Sequence, residues 1–258
     1  MISGIQLKIF IRELEITRAH VSIRYDRRSS FSVAMITVNN VDRNVASEIN
    51  MCDDISIYYG YRGQALTEYT GNVLRVLPEK DQITIVVVGK EFPGRKTIKQ
   101  VWLNETPSAI IQYCLNEVGM EMGRIDEPGC MLEKFVSSGF TIFHIASLLK
   151  DICSRSYGMD MRGWDLFMDA SGKMNWGCFA EEVDAIPVLE TGVEMIVHNP
   201  SGATGYLENY VEAFLIPWFK DSMEFRLIDD SRGIDSVYRA VSVSHEISDK
   251  ARTRIGYV

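Results

Sequence analysis

The 258-residue sequence is informative first for what it does without. It contains no Cys-x-x-Cys, no Gly-x-Gly-x-x-Gly, no Walker loop and no Gly-x-Ser-x-Gly. The short signatures for zinc, dinucleotides, nucleoside triphosphates and serine hydrolysis are therefore missing. The cysteines Cys52, Cys114, Cys130, Cys153 and Cys178 are odd in number and widely spaced. That pattern speaks against a disulfide scaffold and for thiols kept reduced. No apolar run approaches the ~18 residues of a membrane span. The first residues lack the basic stretch and unbroken apolar stretch of a secretory leader. The expectation is a protein with no membrane anchoring. Positive charge is also short: 27 Lys and Arg against 35 Asp and Glu leave a net charge of -8. That balance argues against a general nucleic-acid binder and against anionic membrane surfaces.

What is present is alternation. The closing stretch sets the pattern. Met223, Phe225 and Leu227 alternate with Glu224 and Arg226, the period of a half-buried strand. A polar turn at 229–233 leads to Tyr238-Arg-Ala-Val-Ser-Val-Ser-His245. A second turn at 248–250 leads to Thr253, Ile255 and Tyr257 on one strand face. An earlier stretch echoes this order: Ile55 to Tyr59, a Gly60–Gly63 turn, Tyr69 to Val76, a polar turn, then Ile83 to Val88. Tyr69 and Tyr238 fall at matching places. The echo predicts two similar β modules in one chain. Upstream, Ile5 to Ile11 and Ala19 to Tyr25 read as strands. The polar tip Asp26-Arg27-Arg28-Ser29-Ser30 turns the second of them into a return strand from Phe31.

Between the modules the period changes from 2 to 3.6. Thr106-Pro107 is a helix start, with Thr at the N-cap and Pro first in the helix. Ile110, Ile111, Cys114, Leu115 and Val118 form its apolar stripe, and Gly119 ends it. A second helix is predicted from Thr141 to Tyr157, with Gly158 just beyond. Its face is Ile142, Ile145, Ala146, Leu149, Ile152 and Cys153. Trp164 to Asp169 and Met174 to Phe179 then read as a hairpin. The predicted architecture is mainly β with an α+β insert. Two similar small β-barrel modules at 1–95 and 183–258 flank a subdomain at 96–182.

No catalytic or metal constellation stands out, and no cofactor is expected. His144 is predicted to pack within its helix. His245 beside Glu246 could pair a base with an orienting carboxylate, but adjacent strand residues face opposite ways, so a strand-edge pair is the expectation. His20 and His198 have no ligand-spaced neighbours. Asp53-Asp54, Glu181-Glu182 and Asp229-Asp230 are read as solvated turn carboxylates. Asp169-Ala-Ser-Gly172 is read as a hairpin turn, because the other oxygen ligands of a calcium loop are missing. Arg27-Arg28 is either a solvated turn or a contact for an acidic partner.

The order of parts resembles the central baseplate hub proteins of contractile phage tails. These are the phage late control protein D group and the N-terminal hub region of VgrG spike proteins. The segments that carry the resemblance are Tyr69-Thr-Gly-Asn-Val-Leu-Arg-Val, Thr106-Pro-Ser-Ala-Ile-Ile, Trp164-Asp-Leu-Phe-Met-Asp-Ala-Ser-Gly and Tyr238-Arg-Ala-Val-Ser-Val-Ser-His-Glu-Ile-Ser. The resemblance implies a non-enzymatic homotrimer whose six β modules form a pseudo-sixfold ring. Such a ring joins a hexameric tail tube, or its initiator protein, to a trimeric central spike, with wedge proteins around it. DNA passes through without specific binding. It also implies assembly in the bacterial host cytoplasm and residence in the tail baseplate. Arg27, Arg28, Tyr69 and Tyr238 are the candidate interface residues. A cell-wall-degrading tail-tip enzyme and a hub of a secretion spike stay open as alternatives.

Overall fold

Strand periodicity dominates the computed structural model, which describes residues 4–26, 31–40, 48–169, 171–178, 186–200, 209–248 and 250–257. The chain forms two compact units, Met1–Lys90 with Glu182–Val258, and Glu91–Glu181. In chain order the first stretch supplies β1 (Ile5–Ile11), β2 (Leu14–Ile16), β3 (His20–Asp26), β4 (Val33–Asn39), β5 (Asp54–Tyr61), β6 (Thr67–Pro78) and β7 (Gln82–Gly89). The unit Glu91–Glu181 holds β8 (Ile98–Glu105), α1 (Pro107–Val118), β9 (Met122–Ile125), β10 (Leu132–Phe140), α2 (Ile142–Tyr157), β11 (Asp165–Met168) and β12 (Met174–Gly177). The last stretch supplies β13 (Val188–Glu190), β14 (Met195–Asn199), β15 (Asn209–Phe214), β16 (Glu224–Asp229), β17 (Ile234–Ile247) and β18 (Arg252–Tyr257).

The insert is built as its caps dictate. The Thr106 hydroxyl accepts from the Ala109 N–H, Pro107 opens α1, and Gly119 ends it at φ +73°. The Thr141 hydroxyl accepts from the His144 N–H, and Gly158 ends α2 at φ +66°. Both glycines adopt the left-handed conformation that costs them least. The stripes from Ile110 to Val118 and from Ile142 to Cys153 bury against Trp102, Phe135 and Trp176. Trp102 and Phe135 face each other across the antiparallel β8–β10 pair. A small sheet, β11-β12-β9, completes the insert. The Asp169 carboxylate accepts from the Ser171 and Lys173 N–H groups and from Asn175, a turn that organises the β11–β12 hairpin. His144 departs from expectation. It lies on the exposed face of α2, with its ring stacked on Phe140 at 4.5 Å.

In the other unit, one continuous run of pairing has the order β14-β15-β18-β17-β3-β4-β7-β6-β5-β1-β2, with β16 on the first half of β17 and β13 on β16. Among the described residues no sheet closes on itself. The run contains the same path twice, β3-β4-β7-β6-β5-β1 and β14-β15-β18-β17-β16-β13. Register makes the match residue by residue. Asp54 corresponds to Glu224, Asn72 to Arg239, Val73 to Ala240, Val87 to Tyr257 and Ile36 to Val211. Both middle strands carry a register shift at the same place, Val73/Arg75 in β6 and Ala240/Ser242 in β17. Just before each first strand sits a non-glycine residue at positive φ, Cys52 at 69° and Ser222 at 74°. Each bonds the middle strand alike: the Cys52 N–H donates to the Val73 carbonyl, and the Ser222 N–H to that of Ala240. Among the described residues the outer strands differ, since β1 runs antiparallel to β5 and carries β2, whereas β13 runs parallel to β16.

This register corrects the tyrosine match. Tyr69 stands opposite Ile57, and its counterpart in β17 is Ser236 opposite Leu227. The counterpart of Tyr238 is Gly71. Gly71 faces Gly89, and a Cβ on it would run into the Val88 carbonyl and the Val87 side chain. Backbone approach, not conformational freedom, requires glycine there. Gly71→Ala is expected to lower stability by about 1–3 kcal/mol, the usual cost of overpacking. Denaturant unfolding measures it, and an unchanged midpoint would show that β7 can give way.

Candidate assembly interface

The two modules meet at a seam made within the chain. The second half of β17 pairs with β3, from Ser242 opposite Asp26 to Ile247 opposite Val21. Val243, Ile247, Ile23 and Val21 are buried at this seam, so strand pairing and apolar burial act together. His245 sits at its centre, fully buried, with its ring against Tyr25 at 6.0 Å and Tyr59 at 5.6 Å. Its Nε2 faces the Phe219 carbonyl at 2.9 Å, and its Nδ1 faces the Thr253 hydroxyl at 3.0 Å. A carbonyl only accepts, so Nε2 carries the proton, and Nδ1 accepts from Thr253. Burial pushes His245 down to about 4, and the nearby Lys220 charge acts in the same direction. Tyr59 and Tyr61 donate to the carbonyls of Pro217 and Leu215. Residues 215–219 are thus clasped from both modules.

Glu246 points the other way. It accepts from the Ser22 hydroxyl at 2.6 Å and lies 3.1 Å from His20 on the outer side of the seam. His245 and Glu246 therefore do not form a base and its orienting carboxylate. A second buried network holds β14. His198 Nδ1 meets Asp229 at 2.6 Å, and Nε2 meets the Tyr257 hydroxyl at 2.6 Å. Asp229 also accepts from Ser231 at 2.6 Å and Arg232 at 2.7 Å. The hydrogen bonds from Ser231, His198 and Arg232 hold the Asp229 carboxyl well below the usual carboxylate range. Asp229 is buried, so the reading of Asp229-Asp230 as a solvated pair fails for its first member. Burial pushes Tyr257 up to about 12. No spacing signal marks this cluster, because His198 on β14 and Asp229 on β16 are separated by three strands of the module path. Only curling of the sheet brings them together.

Because the path is duplicated, the seam has a second, unfilled version. The counterpart of β3 is β14, and the counterpart of the second half of β17 is the end of β6. Among the described residues β15 is the one strand that pairs with β14, and on the other side a lone bridge from Thr191 meets only Met195. β5 covers β6 up to Asn72, Cys52 and Asp53 bond Val73, and β7 runs along the other side to Pro78, so among the described residues no strand pairs with the outer edge of the last residues of β6. The exposed apolar residues Ile196 and Val197 lie on β14, and Leu77 lies on the end of β6. Unprotected strand edges of this kind are templates for pairing with another chain.

Of the four residues singled out from sequence, Arg27 and Arg28 lie outside the described residues. Tyr69 is 3% exposed and packs edge-on to Tyr25 at 6.0 Å, inside the core of the single chain. Tyr238 is half-buried against Tyr257 at 4.6 Å. The bare edges of β14 and β6 were not foreseen. Finding them needed the pairing of the strands, not their existence.

A duplicated, curled β module with an α+β insert is a fold of phage tail proteins. The 43 kDa tail protein of prophage MuSo2 from Shewanella oneidensis has it with a TM-score of 0.69 at 14% identity, over 99% of this chain and 97% of that one. A tail protein from Neisseria meningitidis MC58 has it with a TM-score of 0.67 at 11% identity, over 98% and 96%. The E. coli c3393 protein, a component of the type VI secretion system described as structurally similar to the T4 bacteriophage tail proteins gp27 and gp5, has it with a TM-score of 0.70 at 13% identity, over 97% and 76%. No protein-family model and no curated protein matches the sequence.

Proposed function

We propose that the protein is a non-enzymatic structural component of a phage tail or tailocin, the baseplate hub. In this reading three copies form a pseudo-sixfold ring. The ring joins the hexameric tube or its initiator to the trimeric spike, with wedge proteins around it and DNA passing through. It assembles in the host cytoplasm and resides in the virion. The working parts are 1–95 and 183–258 as ring modules and 96–182 as insert. The observation that carries the reading is the filled seam between β3 and β17 beside its unfilled counterpart at β14 and β6. Repeating the filled seam between chains makes three copies behave as six modules, which reconciles threefold and sixfold symmetry by duplication. The acidic balance suits a duct that does not hold DNA. The type VI component with the same fold supports a second reading, the same hub in a secretion spike.

Transferring the seam register sets Asn199 of one copy opposite Glu79 of the next. The full chain carrying Asn199→Cys and Glu79→Cys, with Cys52→Ser and Cys178→Ser, is expected to cross-link between chains on mild oxidation. Its native mass is expected at three times the 29.3 kDa of one chain. Negative-stain images are expected to show a threefold ring with a pseudo-sixfold opening. A monomer alone and with every candidate spike would overturn the hub reading. A trimer that does not cross-link would retain the hub and reject this joint.

A further inference from the structure

We propose that Cys130 and Cys153 form an oxidation site, at which a hydroperoxide converts a buried thiol pair into an intramolecular disulfide. This inference is independent of the assembly reading. The two Sγ atoms lie 3.3 Å apart inside the core of the insert, with Cys130 9% exposed and Cys153 fully buried. The two thiols sit on unlike supports. Cys153 is on α2, where its carbonyl accepts from the Gly158 and Met159 N–H groups at the helix end. Cys130 follows Gly129, at φ +89°, in the irregular segment between β9 and β10. A disulfide needs sulfurs about 2 Å apart. The remaining gap of roughly 1 Å can be closed from the loop side while the helix stays in place. Cys52 and Cys178 are exposed, and no cysteine contact is found for either among the described residues.

The chemistry balances with a peroxide as oxidant. The Cys130 thiolate attacks one peroxide oxygen. An S–O bond forms, the O–O bond breaks, and the departing oxygen leaves as water after protonation. The Cys153 thiolate then attacks the Cys130 sulfur. An S–S bond forms, the S–O bond breaks, and hydroxide leaves and is protonated. Two thiols are oxidised, and one hydrogen peroxide is reduced to two waters. The small oxidant suits a sulfur that is nine-tenths covered. Burial, the contact with Cys130 and the charge of Glu127 push Cys153 up to about 12. Closure is therefore slow at neutral pH and is expected to accelerate about tenfold per pH unit between pH 7 and 9.

The test uses the full native chain treated with hydrogen peroxide, unfolded in an alkylating agent and digested. The expected result is a Cys130–Cys153 linked peptide, a mass lower by two hydrogens, and three of the five thiols still alkylated. The closed loop of about 24 residues is expected to raise the first thermal midpoint by about 5 °C or more. Cys130→Ser should abolish both effects. Peptide mapping of the unsubstituted chain decides the question even if that variant folds poorly. Sulfinic acid on Cys130 without a link, links through other cysteines only, or five unmodified thiols would each overturn the proposal.

Discussion

Asp229→Ala is expected to destabilise the protein by about 1–3 kcal/mol, the usual cost of leaving a buried hydrogen-bond donor without its partner. Asp229 takes three side-chain donors at once, from Ser231, His198 and Arg232. Removing the carboxylate strands the His198 Nδ1–H in a site where its side chain is 2% exposed. Arg232 is nearly half exposed and regains water, so it adds little to the loss. His198 is on β14, Asp229 ends β16 and Tyr257 is on β18. The damage should therefore centre on β14, the strand proposed to join the next chain. Hydrogen exchange should show β14 and β15 opening before β3 and β4. Asp229→Asn, which keeps the shape but loses the charge, should fall between. If Asp229→Ala unfolds at the parent denaturant concentration, the network contributes nothing and β14 is held by other means.

Lowering the pH from 7 to 4 is expected to remove about 3 kcal/mol of stability through His245 alone, since each pH unit between its unfolded and folded values is worth about 1.36 kcal/mol. The sign follows from the two states. An unfolded histidine titrates near 6.5, and the folded one is held down to about 4. Between those values the unfolded chain binds the extra proton, so stability is complete above pH 6.5 and declines as the pH falls toward 4. Asp229 acts in a lower window. Its folded value is depressed, so its contribution is present above the ordinary carboxylate range and is lost only as the pH falls below that range. The two windows can be told apart in one titration. Urea unfolding from pH 7.5 to about 2 should give a slope between 6.5 and 4 that His245→Phe abolishes, whatever its own baseline stability, and a separate fall below the ordinary carboxylate range that it leaves in place. A slope that survives the substitution would assign the acid sensitivity elsewhere. Because His245 lies at the seam with Tyr25 and Tyr59, loss of pairing between β17 and β3 should accompany the acid transition.

Much of the fold was legible because its signals are local. Thr106-Pro107 with Gly119, and Thr141 with Gly158, bracket helices whose ends are the observed ones, since caps act through hydrogen bonds spanning three or four residues. Alternation located most strands of the two β modules, because side-chain direction on a strand has a period of two whatever its partner, but not β8, β9 or β10 of the insert. The duplication was legible as an order of strands and turns. Its register was not: matching Tyr69 with Tyr238 displaced it by two residues, because the stretch from Asp54 to Asn72 is longer than its counterpart from Glu224 to Arg239, and only the pairing shows which residues face each other. The histidines show the same limit. His245 looked like a strand-edge residue beside a carboxylate, yet it is enclosed by groups contributed from β3, β5, β18 and the segment before β16. His198 offered no signal, because its acid partner is 31 residues away.

The sequence by itself determined the two helices with their caps and apolar stripes, most strands of the β modules, and that one β pattern occurs twice. Those properties follow from sterics, capping and periodicity within a few residues. Only the tertiary structure decided which strands adjoin, that β3 closes onto β17 inside the chain, and that among the described residues most of β14 and the end of β6 keep an edge no strand covers. Strand neighbours are chosen by the burial of whole faces across long stretches of chain, and no short window of residues contains that choice.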